Sequence, residues 1–185
     1  MDRLEAECPG LAVLLGRYFA APTIEALAED YYGASARGAN QEFGVVREEG
    51  VSFNPRLARI LTLLLREGGV RDPWVMRVAM YGAASSEGSP LEELDAQLAA
   101  EVRLLTLDPC SGSPWHKTIA LAYILDRVRH LHMTTMTVSE REEYLRTVEQ
   151  TSIVSGDSPR DPFLGKVRHA ITLQRKRLSI DSQTL

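Results

Sequence analysis

A chain of 185 residues is long enough for one domain with its own core and short for two. Its 44% hydrophobic and 25% charged residues are ordinary for a globular protein, and a net charge of −4 excludes a surface that attracts nucleic acid as a whole. No stretch reaches the roughly 18 uninterrupted apolar residues of a membrane helix.

The N-terminus, MDRLEAECPG, is acidic and lacks the apolar region of a signal peptide. Cys8 and Cys110 lie far apart, with neither a C-x-x-C nor a zinc spacing, and read as reduced thiols. A cytoplasmic protein with no membrane or nucleic-acid partner is expected.

Pro9 suits a first helical position, and Leu11, Leu14, Leu15 and Tyr18 follow at helical spacing. Pro22-Thr23 ends that stretch, and Thr23 is the expected cap of a second helix running through Tyr32. From Gly33 to Gly50 the chain is polar and glycine-rich and reads as a loop; without a Gly-Lys-Ser/Thr ending it is no phosphate-binding P-loop. Leu57, Ile60, Leu61 and Leu64 form the next apolar stripe, and Gly68-Gly69 supplies a left-handed stop.

Asp72 followed by Pro73 predicts a cap and first residue for a helix through about Ala84, broken by Ser85 to Gly88. Ser89-Pro90-Leu91-Glu92 has the capping-box pattern, with Leu91, Leu94, Leu98, Val102 and Leu105 in steps of three and four. Asp108 to Ser113 is a turn, after which Ser113-Pro114 opens a helix to about Met133. Its middle, Ile119 to Leu125, is apolar on nearly every side, which places it at the centre of the fold. Ser139 and Glu142 predict a further capping box, with a helix toward Gly156. Asp161-Pro162 opens the last helix, with Leu164, Val167 and Ile171 inward and Arg175, Lys176 and Arg177 at its end. No convincing period-two alternation appears, so the reading is all-α, with about seven to eight helices over residues 1–179 and a frayed tail over 180–185.

Three stretches, taken in order, resemble the HD-domain superfamily and within it the small alarmone hydrolases related to the SpoT hydrolase domain. They are Leu57-Ala58-Arg59-Ile60-Leu61 followed by Gly69-Val70-Arg71-Asp72, then Ile124 to Leu131 (ILDRVRHL), then Ser139-Glu140-Arg141 with Tyr144 before a final basic helix. The resemblance implies a helical HD-like fold and a metal-dependent attack of hydroxide on the pyrophosphate of a guanosine nucleotide, the divalent cation commonly being manganese. It also implies four metal ligands: a first His, an adjacent His-Asp pair and a distant Asp. Here the first falls at Phe53 or Asn54 and the pair at about Gly82-Ala83, none of which offers an imidazole or carboxylate. Asp126 alone matches. Glu87 stands where the family has half of an acidic pair near the reacting water, and Arg37 and Arg59 are candidates for nucleotide phosphates.

Each candidate has a plainer reading. Asp126, preceded by seven apolar residues, is either a retained metal or phosphate-pocket carboxylate or an acid neutralised by a neighbour such as Arg59 or Arg129. His130 shares a helix face with Asp126, four residues on, and the two could hold a metal, although one helix face gives few ligands. His116 lies more than two turns away and His132 on another face. Cys110 precedes a helix start but has no assigned base, Arg175 to Arg177 suit a helix C-terminus, and Trp74 and Trp115 suit core anchors.

The leading expectation is a catalytically silent relative of the alarmone hydrolases, needing no cofactor, that binds a guanine nucleotide or a protein partner or acts as a scaffold. The alternative is an active divergent phosphohydrolase using a divalent cation, manganese by the resemblance, with Asp126, His130 and Glu87. A third is an interaction module that is helical by convergence, without a common cleft.

Overall fold

Five prolines fall in the first turn of a helix, where a missing N–H leaves no intrahelical bond unmade. In the computed structural model, which describes residues 2–38, 54–85, 94–134, 136–156 and 161–181, they are Pro9, Pro22, Pro55, Pro73 and Pro114. The helices are α1 (Asp2–Glu7), α2 (Pro9–Tyr18), α3 (Ala21–Gly38), α4 (Asn54–Arg66) and α5 (Pro73–Ala84). After them come α6 (Ala96–Leu107), α7 (Pro114–Arg129), α8 (Val138–Gln150), α9 (Ser152–Ser155) and α10 (Leu164–Asp181). A short 3-10 turn, Leu131–Met133, follows α7.

The architecture is all-α, with no strand among the described residues. Eight helices have ten or more residues, and the two additional short ones, α1 and α9, are held by single apolar anchors such as Leu4 and by the pair Ile153 and Val154.

Helix α7 is the axis. It packs on α4, α5, α6 and α10, and Ile119, Leu121, Ala122, Leu125 and Val128 are all fully buried. Against it α4 turns Leu57, Ile60, Leu61 and Leu64, leaving Arg59, Thr62 and Arg66 on its other flank. That division of one helix between core and solvent is what makes room for a site. Gly69 adopts φ +66° and ends α4 as the glycine pair predicts, with the Val70 amide returning to the Leu64 carbonyl at 3.0 Å. Asp72 caps α5, accepting from the Trp74 amide at 2.9 Å. No described helix is long and apolar enough to cross a membrane.

Several expected boundaries shift. Residues 33–38 belong to α3 rather than to a loop, while 39–50 lie outside the described residues. The reason is packing: Ala34 is fully buried, and a Cβ on Gly33 would sit 2.8 Å from the Tyr81 hydroxyl, so Gly33 serves close approach to α5 rather than a break. The helix cap expected at Thr23 lies three residues late, since α3 begins at Ala21 and the Ile24 amide returns to Ala20.

The Ser89–Glu92 box falls outside the described residues. Within them α6 begins at Ala96, capped by Asp95, which accepts from the Leu98 amide at 2.8 Å. Helix α7 stops at Arg129, four residues before the expected Met133, because His130 caps it and the chain tightens into the 3-10 turn.

The capping box of α8 is Thr137 with Glu140, not Ser139 with Glu142. Asp161 accepts from the Phe163 amide at 2.9 Å, yet α10 starts at Leu164. The same helix continues through Asp181, past the point where fraying was expected, because Leu178 is buried and anchors its last turns.

Candidate functional site

Asp126 ends the apolar run of α7 and is buried, its side chain 3% exposed. A lone carboxylate there would be costly, and the fold answers it with cations from α4. Arg59 donates from Nε to Oδ1 at 2.8 Å and from Nη2 to Oδ2 at 3.3 Å, a forked pairing that matches the planar guanidinium to the carboxylate. Arg56, one turn earlier, brings Nε to 4.0 Å of Oδ2.

From the C-terminal end of α7, His130 places Nδ1 2.7 Å from the Asp126 backbone oxygen and 3.3 Å from Oδ1. Both partners are acceptors, so Nδ1 carries the hydrogen and the neutral ring has its lone pair on Nε2.

Burial pushes the Asp126 carboxyl up, but hydrogen bonds from His130 and Arg59, with their charges, outweigh it and hold the group below the usual carboxylate range. The hydrogen bond to Asp126 raises His130 above its ordinary value, against the opposing effect of burial. Burial lowers the Arg56 guanidinium, and Asp126 offsets part of that. Behind Arg56, burial raises the phenols of Tyr123 and Tyr144; Tyr123 donates its hydroxyl to the Ala79 carbonyl at 2.5 Å and so ties α7 to α5.

On the other side of Arg59 a cleft of about 460 Å³ opens between α2, α4 and the end of α7. The first turn of α2 contributes Cys8, Gly10 and Leu11. Its positive dipole end therefore borders the cleft, and the space before Gly10 is open for at least 4 Å. Helix α4 contributes Arg59, Thr62 and Arg66 in one row, with Ala58 and Leu63 beside them, and α7 contributes Asp126, Arg129 and His130.

Arg129 is itself paired with Glu67 at 3.0 Å, and Glu67 is shared with Lys166 at 2.9 Å. Of the three guanidiniums that line the cleft among the described residues, Arg59 is held by Asp126 and Arg129 by Glu67, so Arg66 carries the charge that is not balanced. The cleft is cationic.

The structure therefore brings together Arg59, Asp126 and His130 and does not bring Arg37 to them. Arg37 ends α3 near the Tyr81 ring, 6.0 Å from its centroid, on the face where Arg77 bridges Asp30 and Asp95. Glu87 and Phe53 lie outside the described residues; Asn54 is the first residue of α4.

Gly82 and Ala83 are buried in α5, and a Cβ on Gly82 would come within 2.6 Å of Leu105 Cδ2 and 2.8 Å of the Tyr123 hydroxyl. Arg129 is not the partner of Asp126. His132 is exposed, and His116 is buried on the far part of α7 with Nε2 2.9 Å from Glu101 Oε2, an ion-pair distance without hydrogen-bond alignment. Cys110 is exposed, with Sγ 3.8 Å from the Ser152 hydroxyl, and Arg175 pairs with Glu149 at 2.8 Å. Trp74 and Trp115 are half-buried against the core.

Sequence reading missed Arg56, Arg66 and Cys8. A buried acid announces that a cation must face it, but spacing along the chain does not say which one.

The divalent cation implied by the family resemblance does not fit these residues. Both Asp126 oxygens face guanidinium nitrogens, His130 Nδ1 is engaged by an acceptor, and no group of three His, Cys, Asp or Glu converges among the described residues. No protein family matches the chain, and neither a curated protein nor a solved structure matches it. The family likeness rests on the three sequence stretches alone.

Proposed function

We propose that the protein is a catalytically silent relative of the SpoT-like alarmone hydrolases that binds an anionic nucleotide in the cleft between α2, α4 and α7. The observation that carries this reading is the forked Arg59–Asp126 pair. The one carboxylate that corresponds to a family metal ligand is neutralised by a guanidinium, so the charge a divalent cation would supply comes from the chain itself. A guanidinium has no bound water to ionise at neutral pH, so this pair does not supply the metal-bound hydroxide that the resemblance implies. What remains is a positively lined recess of a size common for small-molecule sites.

The test is to incubate the purified full chain with manganese and guanosine pyrophosphates, following both phosphate release and heat of binding. Binding without turnover is the expected result. Turnover that disappears in Asp126→Ala would overturn the reading in favour of an active phosphohydrolase.

A further inference from the structure

Which part of a nucleotide this cleft reads follows from what its walls can and cannot bond. Along α4, Arg59, Thr62 and Arg66 share one face, since residues three, four and seven apart line up on a helix. Arg66 is exposed and has no side-chain partner among the described residues, and Arg59 keeps Nη1 beyond the two nitrogens it gives to Asp126. Thr62 supplies a hydroxyl between them. Facing this row is the first turn of α2, where Gly10 offers the amide, Pro9 having none, Cys8 donating to the Leu4 carbonyl and Leu11 and Ala12 to that of Cys8. Guanidinium, hydroxyl and helix start all select phosphate oxygens.

A base finds much less. Among the described residues the lining holds no Phe, Tyr or Trp on which a purine stacks, its one ring being the imidazole of His130, and no Asn or Gln that could pair with an adenine edge. A guanine edge is read by an arginine at O6 and N7 or by a carboxylate at N1 and N2. Here the phosphoryl group takes Arg59 and Arg66, Glu67 holds Arg129, and Asp126, the one carboxylate among the described lining residues, has both oxygens held by Arg59. Most of the lining lies inside helices, where backbone groups bond within the helix and cannot read a base. The remaining contacts, Leu11, Ala58 and Leu63, are aliphatic and bury any compact apolar body without choosing among them.

We infer that the cleft is a phosphate-monoester site that is blind to the base: the phosphoryl group sits on Arg66, Thr62 and the outer edge of Arg59, and whatever is esterified to it rests on the aliphatic wall. The inference rests on the reading that this cleft binds a nucleotide, and it narrows that reading to the phosphate. Among small ligands the cleft then ranks anions by phosphoryl charge, not by nucleobase.

The experiment is calorimetric titration of the full chain with guanosine monophosphate, adenosine monophosphate, ribose 5-phosphate and unphosphorylated guanosine at one salt concentration. The three phosphates are expected to bind within about threefold of one another and guanosine not at all; Arg66→Gln is expected to weaken all three by about tenfold or more, loss of a charge-assisted pair being of that order. Because Arg66 is exposed and unpartnered, its variant should keep the parent melting temperature. Gly10→Trp, which fills the open space before α2 and removes no charge, is expected to abolish binding of all three.

Preference for one monophosphate over the other by more than about tenfold, or binding of guanosine, overturns base-blindness while leaving nucleotide binding in place. Unchanged affinity in Arg66→Gln overturns the assignment of the phosphoryl subsite. Failure of every phosphate to bind overturns the nucleotide reading, and this inference with it.

Discussion

Arg59 and Asp126 lie 67 residues apart in the chain and meet through two nitrogen–oxygen contacts, of 2.8 and 3.3 Å. The pair stitches α4 to the middle of the fold at the one place where α7 carries a buried charge. Its partners differ in exposure, since Arg59 keeps 37% of its side chain in solvent and Asp126 only 3%. The two truncations should therefore differ. Asp126→Asn removes the buried carboxylate that faces Arg56 and Arg59, Arg56 being 18% exposed, and is expected to cost about 2–4 kcal/mol. Arg59→Ala is expected to cost about 1–2 kcal/mol, because Arg56 and His130 still face the carboxylate that it leaves. Urea denaturation midpoints measure both; equal losses would contradict the asymmetry.

Stability should also carry a signature of this cluster in pH. Asp126 is held below its ordinary value of 3.8, so its contribution is present above that value and lost as pH falls through the depressed one. His130 is raised above its ordinary 6.5, so its contribution is full below 6.5 and lost as pH rises through the raised value. The two together act fully between those limits. The difference in melting temperature between the parent and His130→Gln is thus expected to shrink steadily as pH rises above 6.5. A difference that grows over the same range would show the sign to be wrong.

Gly82 lies where the family resemblance puts half of a His-Asp pair, yet the structure has closed that position. Leu105 from α6 and Tyr123 from α7 come against its bare backbone, and Tyr123 is fastened there by its bond to the Ala79 carbonyl. Even one methyl group must displace them. Gly82→Ala is expected to lose about 1–3 kcal/mol through overpacking, despite the helix preference of alanine over glycine. A stabilised Gly82→Ala, measured by thermal unfolding, would mean that α5, α6 and α7 are less tightly packed here than the geometry indicates.

How much of this could be read from the residues depends on the range of the interaction. Proline–cap pairs such as Asp72-Pro73 and the stop at Gly69 act within a few residues, and so were legible. The apolar middle of α7 was legible as a buried helix for the same reason, because its pattern needs no partner to be named. Glycine was the ambiguous sign: Gly33 reads as a break and serves as a contact, a difference that only Tyr81 on α5 decides. At the site, the need of Asp126 for a cation was legible while the roles of Arg56 and Arg66 were not, since both depend on how α4 is rotated against α7 and α2.

The start of α8 gives the sharpest local test of that distinction. Two overlapping patterns, Thr137 with Glu140 and Ser139 with Glu142, each have the spacing of a capping box. The structure chooses the first: the Glu140 amide donates to the Thr137 hydroxyl at 3.3 Å, and the Thr137 amide donates to the Glu140 carboxylate at 2.7 Å, which holds that carboxyl below its usual range. Thr137 has the extended backbone of a cap, with φ −65° and ψ 165°, whereas Ser139 is already inside the helix. Thr137→Ala should accordingly lower stability by about 0.5–2 kcal/mol, and Ser139→Ala should be neutral or slightly stabilising, alanine being the better interior helix residue. Chemical denaturation of the two variants side by side gives the comparison, and the reverse order would move the helix start by two residues.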